Sequence, residues 1–244
     1  MKENIIAFTL SVLAGLVSGW LIWIVRYVFE NKRNLIVAVK AMFLWNVEIR
    51  VSISYLFQIK VSGKYLLVKG NRIDQYQPVG GVFKMLPSFK EMRRNYEVKD
   101  DGLIPIDKTS KDDLRIRVKG KNLVKLLRWF YLRKNREVGV HREFYEELIS
   151  TEILGIDSMR SFTPEYCKTV NTNIHYSKHF DCKEILIYEI YELNLSEQEE
   201  EQITKYCQTK PHKAVLATQD DISKECIDLN GSSMKIGEHA KHIL

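Results

Sequence analysis

The sequence predicts a mixed α/β domain that follows an N-terminal transmembrane helix. Two observations support this fold class. An uncharged apolar segment opens the chain, and from residue 49 onward short strand-like segments of alternating apolar residues are interleaved with segments of helical periodicity. These elements follow no regular strand–helix–strand repeat, which favours a mixed sheet sandwiched between helices. The chain is therefore divided into residues 1–30, 31–48 and 49–244.

The first segment, residues 1–30, is predicted to cross a membrane. Residues 5–25 form a run of 21 residues without a charge, and such a helix spans roughly 30 Å, the thickness of the hydrocarbon core. A signal peptide is the alternative. Its apolar core would be shorter and would be followed by a cleavage site of small residues, whereas RYVFENKRN follows here.

The charges that flank this run predict its orientation. Lys2 and Glu3 precede it, and Arg26, Lys32, Arg33 and Lys40 follow it. Basic residues accumulate on the cytoplasmic side of membrane helices. We therefore expect a single-pass protein of the inner membrane with a cytoplasmic C-terminal domain. The four cysteines form no C-x-x-C pair, which fits reduced cytosolic thiols.

Residues 31–48 are predicted to form a juxtamembrane helix. A short second membrane segment is the alternative, although Lys40 lies within it and would cost about 2.5–3.5 kcal/mol at the membrane centre. In the first helix, Ser11, Gly15 and Gly19 recur every four residues and share one face. Small residues allow membrane helices to approach closely, so we expect a homo-oligomer within the lipid bilayer.

The third segment, residues 49–244, combines strands and helices. The predicted strands are residues 49–61, 64–70 and 183–193, and the predicted helices are residues 122–134, 142–154 and 195–206. Ser62 and Gly63 indicate a hairpin turn between the first two strands. Ser196 is the expected N-cap of the last helix.

Three glutamates are concentrated near the start of one predicted helix. Glu143, Glu146 and Glu147 are spaced i, i+3 and i+4, so they share a helix face and repel one another. A divalent cation such as Mg²⁺ or Mn²⁺, which prefers carboxylate oxygen ligands, would relieve this repulsion. Arg142 can orient one carboxylate. A solvated acidic helix face is the alternative interpretation.

The segment REFYEE resembles R-E-U-x-E-E, the core of the Nudix box, in which U is a bulky apolar residue. The earlier segment QPVGG resembles the glycine-ended strand that opens the box, and the resemblance covers most of residues 49–195. It implies a Nudix-like α/β/α sandwich and metal-dependent hydrolysis of a diphosphate linked to a nucleoside. The residues implied are metal ligands Glu143, Glu146 and Glu147, catalytic residues Glu143 and Arg142, and entrance glycines Gly80 and Gly81.

The sequence departs from the family pattern in three ways. A long insertion of 60 residues, 82–141, separates the entrance glycines from Arg142. Lys134 occupies the position of an expected glutamate, for which Glu137 is the nearest replacement. Ile149 occupies the position of the glycine that should follow the glutamate pair. The Nudix box is therefore degenerate, and retention of hydrolysis is left open.

Four segments narrow the resemblance: YLLVKGNR, YQPVGGVFK, GKNLVKLLRWF and REFYEELIST. Together they resemble the NUDIX domain associated with SMODS nucleotidyltransferases, and with the N-terminal helix they resemble the TM-NUDIX effectors of CBASS anti-phage defence. The resemblance implies a cyclic nucleotide second messenger from a cognate CD-NTase as partner, with no direct nucleic-acid contact.

The insertion is strongly basic. Residues 115–136 contain nine Lys or Arg and no acidic residue, and the whole chain has a formal net charge of +6 and a pI near 9.0. Phosphate or nucleotide binding is predicted at Lys119, Lys121, Lys125 and Arg128, with backbone N–H groups of residues 120–122 as further anion donors. A helix with a solvated basic face is the alternative.

Two functions follow from these patterns. The first is a membrane-anchored effector that responds to a nucleotide messenger and causes abortive infection, with membrane disruption as its means. The second is a membrane-tethered Nudix hydrolase of nucleoside-diphosphate-linked substrates.

Overall fold

The computed structural model describes residues 2–71, 73–103, 110–229 and 231–244. Within the first helix, the side chains of residues 2–16, 24 and 27–31 lie outside this description. The α-helices are α1 (Lys2–Phe43), α2 (Lys90–Asn95), α3 (Gly120–Tyr131), α4 (His141–Phe144), α5 (Ser158–Ser161), α6 (Glu197–Thr209) and α7 (Gln219–Ser223). A π-helical turn covers Tyr145–Ile149, and 3₁₀ turns cover Pro87–Phe89 and Glu238–Ile243.

The strands are β1 (Glu48–Val61), β2 (Lys64–Lys69), β3 (Tyr76–Pro78), β4 (Gly80–Val82), β5 (Lys99–Asp100), β6 (Arg115–Lys119), β7 (Pro164–Asn171), β8 (His175–Ser177), β9 (Cys182–Leu193), β10 (Ala214–Ala217), β11 (Cys226–Leu229) and β12 (Ser232–Lys235). Ten of them form one large sheet, and β11 and β12 form a separate hairpin. The predicted mixed α/β class is confirmed.

Strand β1 is the centre of the large sheet. One edge of it pairs in parallel with β9, from Ile49 opposite Lys183 to Ile59 opposite Leu193. Its other edge pairs antiparallel with β6, β4 and β2 in turn. The insertion therefore supplies two strands of the main sheet, β5 and β6, as well as helices α2 and α3.

Both faces of β1 are buried. The apolar residues of its alternating sequence fill one face, and polar residues such as Arg50, Ser52 and Ser54 are buried on the other. On one face, Ile53 and Phe57 belong to a core that includes Leu126 of α3. On the other face, Leu56 belongs to a second core that includes Ile243 at the C-terminus. Helical segments on both sides thus remove β1 from water.

Most of the predicted elements of this domain are confirmed to within a few residues. The predicted strands 49–61, 64–70 and 183–193 correspond to β1, β2 and β9. Helix α6 begins after Ser196, whose side chain accepts from the Glu199 N–H in a capping box. The helix predicted at residues 142–154 is wrong in its second half, because it changes to π geometry at Tyr145 and ends at Ile149.

Helix α1 is continuous from Lys2 to Phe43, and its C-terminal end packs against the domain. Val37 and Ala41 are buried in the core. The Lys40 ammonium donates to the carbonyl of Ile174 at 3.0 Å. Gly120 lies against the backbone carbonyls of Ala41 and Leu44, where even a Cβ would overlap them. The juxtamembrane residues are thus part of the domain fold.

The membrane prediction concerns the other end of α1. Among the residues that the structure describes, no helix is long and apolar enough to cross a membrane. The side chains of residues 5–16 of the predicted span are not among those that the structure describes. They include Ser11 and Gly15 of the predicted helix seam. Gly19 of that seam is described, and a Cβ added to it would meet no atom within 4 Å.

Candidate functional site

The two entrance glycines lie against the glutamates of the box, although the insertion separates them in sequence. The Gly80 N–H donates to Glu147 Oε2 at 2.8 Å. A Cβ on Gly81 would overlap the Glu143 carboxylate. Strand β4 holds both glycines by pairing with residues 54–56 of β1. Only residues without a side chain allow this close approach of the strand to the carboxylates.

Arg142 connects the elements of this site. Its guanidinium donates to both carboxylate oxygens of Glu137, at 3.1 and 3.2 Å, and to the Val82 carbonyl at 2.9 Å. It also donates to Glu143 and lies 3.7 Å from Glu146. Such forked contacts fix orientation as well as charge. Arg142 is thus held by Glu137, Val82 and Glu143, and its orienting role stays a prediction.

Glu137 replaces the glutamate that the family pattern expects at residue 134. Lys134 itself is exposed. Glu137 is held by Lys84 on the neighbouring strand end: its N–H donates to the Lys84 carbonyl at 2.7 Å, and its carboxylate accepts from the Lys84 N–H at 3.1 Å. The box thus recovers its acidic partner for Arg142 from a position three residues later.

Arg136, next to Glu137, is a residue whose role the sequence analysis missed. It is only 2% exposed, and its guanidinium donates to the carbonyls of Phe130 and Glu137 at 3.0 and 2.7 Å. Its charge lies 3.6 Å from the buried carboxylate of Glu189. In the sequence it is one of nine basic residues between residues 115 and 136, so no pattern distinguishes it from its solvated neighbours.

The electrostatics of the glutamates differ sharply. Burial raises the pKa of Glu147 to about 8 against the opposing Gly80 hydrogen bond, and the charges of Glu143 and Glu146 raise it further. Burial also raises the pKa of Glu143, and Arg142 opposes this shift. The side chain of Glu146 is 44% exposed. The site therefore contains one carboxyl group that holds its proton near neutral pH.

The arrangement of these glutamates does not amount to a formed metal centre. Across the described part of the chain, no group of three or more His, Cys, Asp or Glu side chains is placed to hold a metal ion. Glu143 is bound to Arg142 and Glu147 to the Gly80 N–H. The ligand types suit Mg²⁺ or Mn²⁺, but the exposed Glu146 would have to turn toward its neighbours.

A cleft of about 310 Å³ opens beside Glu146 and Glu147. Lys69, Lys213, His212 and Asn71 also line it. The hydroxyl of Tyr206, which also lines it, is buried without a hydrogen-bond partner among the described residues. We call this space the box cleft. It is lined by both lysines and carboxylates, a combination suited to phosphates that are bound with or without a metal ion.

The predicted anion site at residues 120–122 is wrong. The N–H groups of Gly120 and Lys121 donate to the carbonyls of Val47 and Trp45, at 3.1 and 3.0 Å. They satisfy the turn that follows α1 and are not free for a ligand. The physical reason for this error is a tertiary contact: α1 docks on α3, so the turn after α1 reaches these N–H groups.

The four cations predicted to bind phosphate fall into two pairs. Lys119 and Lys121 both donate to Glu97, at 2.8 and 2.6 Å, and these bonds lower the pKa of Glu97 to about 2. Lys125 and Arg128 instead line a separate groove of about 540 Å³ between α2 and α3. None of the box glutamates lines this groove.

The fold and the site together define a class of protein. A mixed sheet, a glycine pair on one strand and an Arg–Glu box packed against it are the features of a Nudix domain. The family model for the SMODS-associated NUDIX domain matches residues 48–244, and the chain belongs to this family. Membership associates the protein with CBASS antiviral defence. No curated protein matches the chain.

The raised pKa of Glu147 leads to a prediction about stability. In the folded protein the carboxyl has a pKa of about 8, against an ordinary value of 4.5. Between these values the folded state binds the proton more tightly than the unfolded state, so this group's contribution to stability falls as the pH rises. In metal-free buffer, Glu147→Gln should therefore stabilise the protein by roughly 1–3 kcal/mol at about pH 9 and have little effect at about pH 4.

Chemical denaturation across this pH range, in the presence of a chelator, measures the effect. Glu201→Gln, which changes an exposed glutamate on α6, is the control and should follow wild type throughout. Parallel stability curves for wild type and Glu147→Gln would contradict a proton held by Glu147.

Proposed function

We propose that the protein is an effector of a CBASS anti-phage system. In this proposal a cyclic nucleotide messenger from a cognate CD-NTase binds the cytoplasmic Nudix-like domain. The N-terminal helices then associate in the inner membrane through Ser11, Gly15 and Gly19 and breach the bilayer. Loss of the membrane barrier causes abortive infection.

The continuity of α1 is the observation that carries this proposal. The helix runs from Lys2 to Phe43 without a break, a length of roughly 63 Å. Its last turns are fixed to the domain by Val37, Ala41 and the Lys40–Ile174 hydrogen bond. A helix without a flexible linker transmits a change in domain arrangement to its far end, and domain contacts raise the local concentration of neighbouring helices.

The sequence of the far end supports a membrane role for it. Residues 5–25 carry no charge, and the basic residues follow them. This pattern favours a single span with the domain in the cytoplasm, where a nucleotide messenger is made. The small residues of the seam allow close packing of two helices, and a nucleotide can drive assembly only by binding the assembled state more tightly.

A cell assay tests the effector proposal. Co-expression with the cognate nucleotidyltransferase should arrest growth and admit a membrane-impermeant dye into cells that carry the wild-type protein. Gly15→Leu should abolish dye entry because its side chain keeps the helix backbones apart. Leu13→Ile, a change of shape on another helix face, is the matched control and should behave as wild type. Dye entry with Gly15→Leu would remove the seam from the mechanism.

A second candidate function is hydrolysis of a nucleoside-diphosphate-linked substrate in the box cleft. The observation that favours it is the retained Arg142–Glu137 pair beside two glutamates and the entrance glycines. In such a reaction a bound Mg²⁺ or Mn²⁺ would neutralise phosphate charge and activate a water. Glu143, Glu146 and Glu147 would hold the metal, and Arg142 would orient Glu143.

Metal titration tests the requirement on which this second function depends. The full chain in detergent should bind Mn²⁺ in calorimetry, and Glu146→Gln/Glu147→Gln should weaken binding by about 10-fold or more, since both charges of the pair are lost. Glu200→Gln/Glu201→Gln removes an acidic pair from α6 and is the control. Equal Mn²⁺ binding by wild type and the box variant, or none by either, would exclude a metal site at the box.

A further inference from the structure

The groove between α2 and α3 is built by the insertion and belongs to no part of the Nudix box. Ser88, Glu91, Met92, Asn95 and Tyr96 line one wall, and Lys125, Arg128, Trp129, Leu132 and Asn135 line the other. We call it the α2–α3 groove. Its volume of about 540 Å³ is within the range of pockets that hold small organic ligands.

The charges in the groove favour an anion. Lys125 and Arg128 are exposed on successive turns of α3, and no ion pair joins either of them to an acidic residue within the described chain. Glu91 is the single carboxylate of the lining. Two cations, one of them a planar guanidinium, suit a phosphate group better than a neutral ligand.

Trp129 provides an independent observation. The residue is only 7% exposed, and its ring packs on Phe89 with centroids 4.7 Å apart. Its indole N–H is buried and has no acceptor among the described residues. Buried donors are almost always paired, so this N–H, on a side chain that lines the groove, would gain an acceptor if ligand binding opened it to the groove.

The remaining lining resembles a site for a base. Tyr96 offers an aromatic ring, and the amides of Asn95 and Asn135 offer both donors and acceptors. Aromatic rings stack on bases, and amides pair with their edges. The combination of cations, amides and aromatic rings matches a nucleotide rather than an inorganic ion.

We infer that the α2–α3 groove binds the phosphodiester-linked nucleotide messenger, and that the box cleft is not the messenger site. Lys125 and Arg128 contact its phosphates, and the Trp129 N–H donates to one of its oxygens. This inference rests on the proposed effector function and adds the place where the messenger acts.

The position of the groove connects it to α1. Lys125 is five residues from Gly120, about 8 Å along the helix axis, and Gly120 packs on the carbonyls of Ala41, in the last turn of α1, and Leu44, just after it. Asn122, between them, donates to the Tyr96 carbonyl at 2.9 Å and joins α3 to the end of α2. A ligand that draws α2 and α3 together therefore acts on the helix that holds α1.

Binding of a defined panel of nucleotides tests the inference. Cyclic di-AMP, cyclic GMP–AMP and cyclic tri-AMP are titrated separately into the full chain in neutral detergent. At least one should bind, and Lys125→Glu/Arg128→Glu should weaken its binding by about 10-fold or more, because charge-assisted hydrogen bonds are lost and like charges are introduced. Lys224→Glu/Lys241→Glu reverses two exposed lysines near the C-terminus and should bind as wild type.

Trp129→Phe separates binding from folding. It removes the N–H but keeps an aromatic ring against Phe89, so the protein should fold with a modest loss of thermal stability from the smaller ring, while nucleotide binding should weaken by about 5- to 10-fold. Glu146→Gln/Glu147→Gln should bind the nucleotide as wild type. Wild-type affinity in the Lys125/Arg128 variant, loss of affinity confined to the glutamate variant, or no binding of any panel member would overturn the inference.

Failure of the groove assignment can be distinguished from failure of the effector function. If a nucleotide triggers dye entry in cells that carry Lys125→Glu/Arg128→Glu as strongly as in wild type, the groove assignment fails and the effector function stands. If a nucleotide binds the groove of the wild-type protein and no dye entry follows, the groove assignment stands and the effector function fails.

Discussion

Replacement of Arg136 by methionine is expected to lower the free energy of unfolding by about 3–5 kcal/mol. The change leaves the Glu189 carboxylate, which is 4% exposed, buried without its cation; among the described residues the Tyr191 hydroxyl, at 2.8 Å, is then its one remaining donor. It also removes the donors to the carbonyls of Phe130 and Glu137. Because Glu137 is the partner of Arg142, the box should lose its alignment as well.

Denaturant unfolding of three variants isolates the charge effect. Arg136→Met/Glu189→Gln should recover part of the stability that Arg136→Met loses, since no uncompensated charge remains. Arg133→Met changes an exposed arginine nearby and should remain within about 0.5 kcal/mol of wild type. A double variant that is less stable than Arg136→Met would show that the buried pair does not act as a pair.

Gly80→Ala should destabilise the protein by roughly 3 kcal/mol, because strain and overlap add. Gly80 has a positive φ of +151°, and a Cβ there would overlap the Tyr55 carbonyl and lie 2.9 Å from the Leu56 Cα. These are backbone atoms of β1, which cannot move without disturbing the sheet. The displaced strand β4 would also take the Gly80 N–H away from Glu147.

Gly63→Ala is the matched control for this prediction. Gly63 also has a positive φ, +78°, but a Cβ there would meet no atom within 4 Å. Its substitution should cost only about 1 kcal/mol, the cost of the backbone conformation alone. Thermal and chemical denaturation of the two variants compare the cost of backbone strain plus steric overlap, at Gly80, with the cost of backbone strain alone, at Gly63. Equal losses would mean that the contact between β4 and β1 at Gly80 contributes nothing.

Local sequence patterns predicted the strands of the sheet centre and the cap of α6 because their physical causes are local. Alternation of apolar residues indicates β1, and Ser196 followed by Glu199 indicates a capping box wherever it occurs. The meeting of Gly80 and Gly81 with the glutamates was predicted from the family resemblance. No spacing rule connects residues that are separated by a 60-residue insertion.

Several features of the site depend on tertiary contacts, which local sequence patterns do not reveal. The N–H groups of Gly120 and Lys121 look free in the sequence, but the turn after α1 occupies them. Glu137 and Arg136 have no distinguishing pattern, and only folding brings one to Arg142 and the other to Glu189. The π-helical turn at Tyr145–Ile149 likewise changes the spacing on which the prediction of three convergent carboxylates depended.

In the proposed mechanism, a nucleotide bound by the Nudix-like domain opens the membrane through α1. The most direct measurement reconstitutes the purified full chain into vesicles of bacterial phospholipid that contain a self-quenched dye, and adds cyclic di-AMP, cyclic GMP–AMP or cyclic tri-AMP outside. We expect one of these nucleotides to release dye from vesicles that hold wild-type protein and none to release it with Gly15→Leu. Nucleotide binding without dye release, together with nucleotide hydrolysis, would contradict this mechanism and favour a membrane-tethered hydrolase.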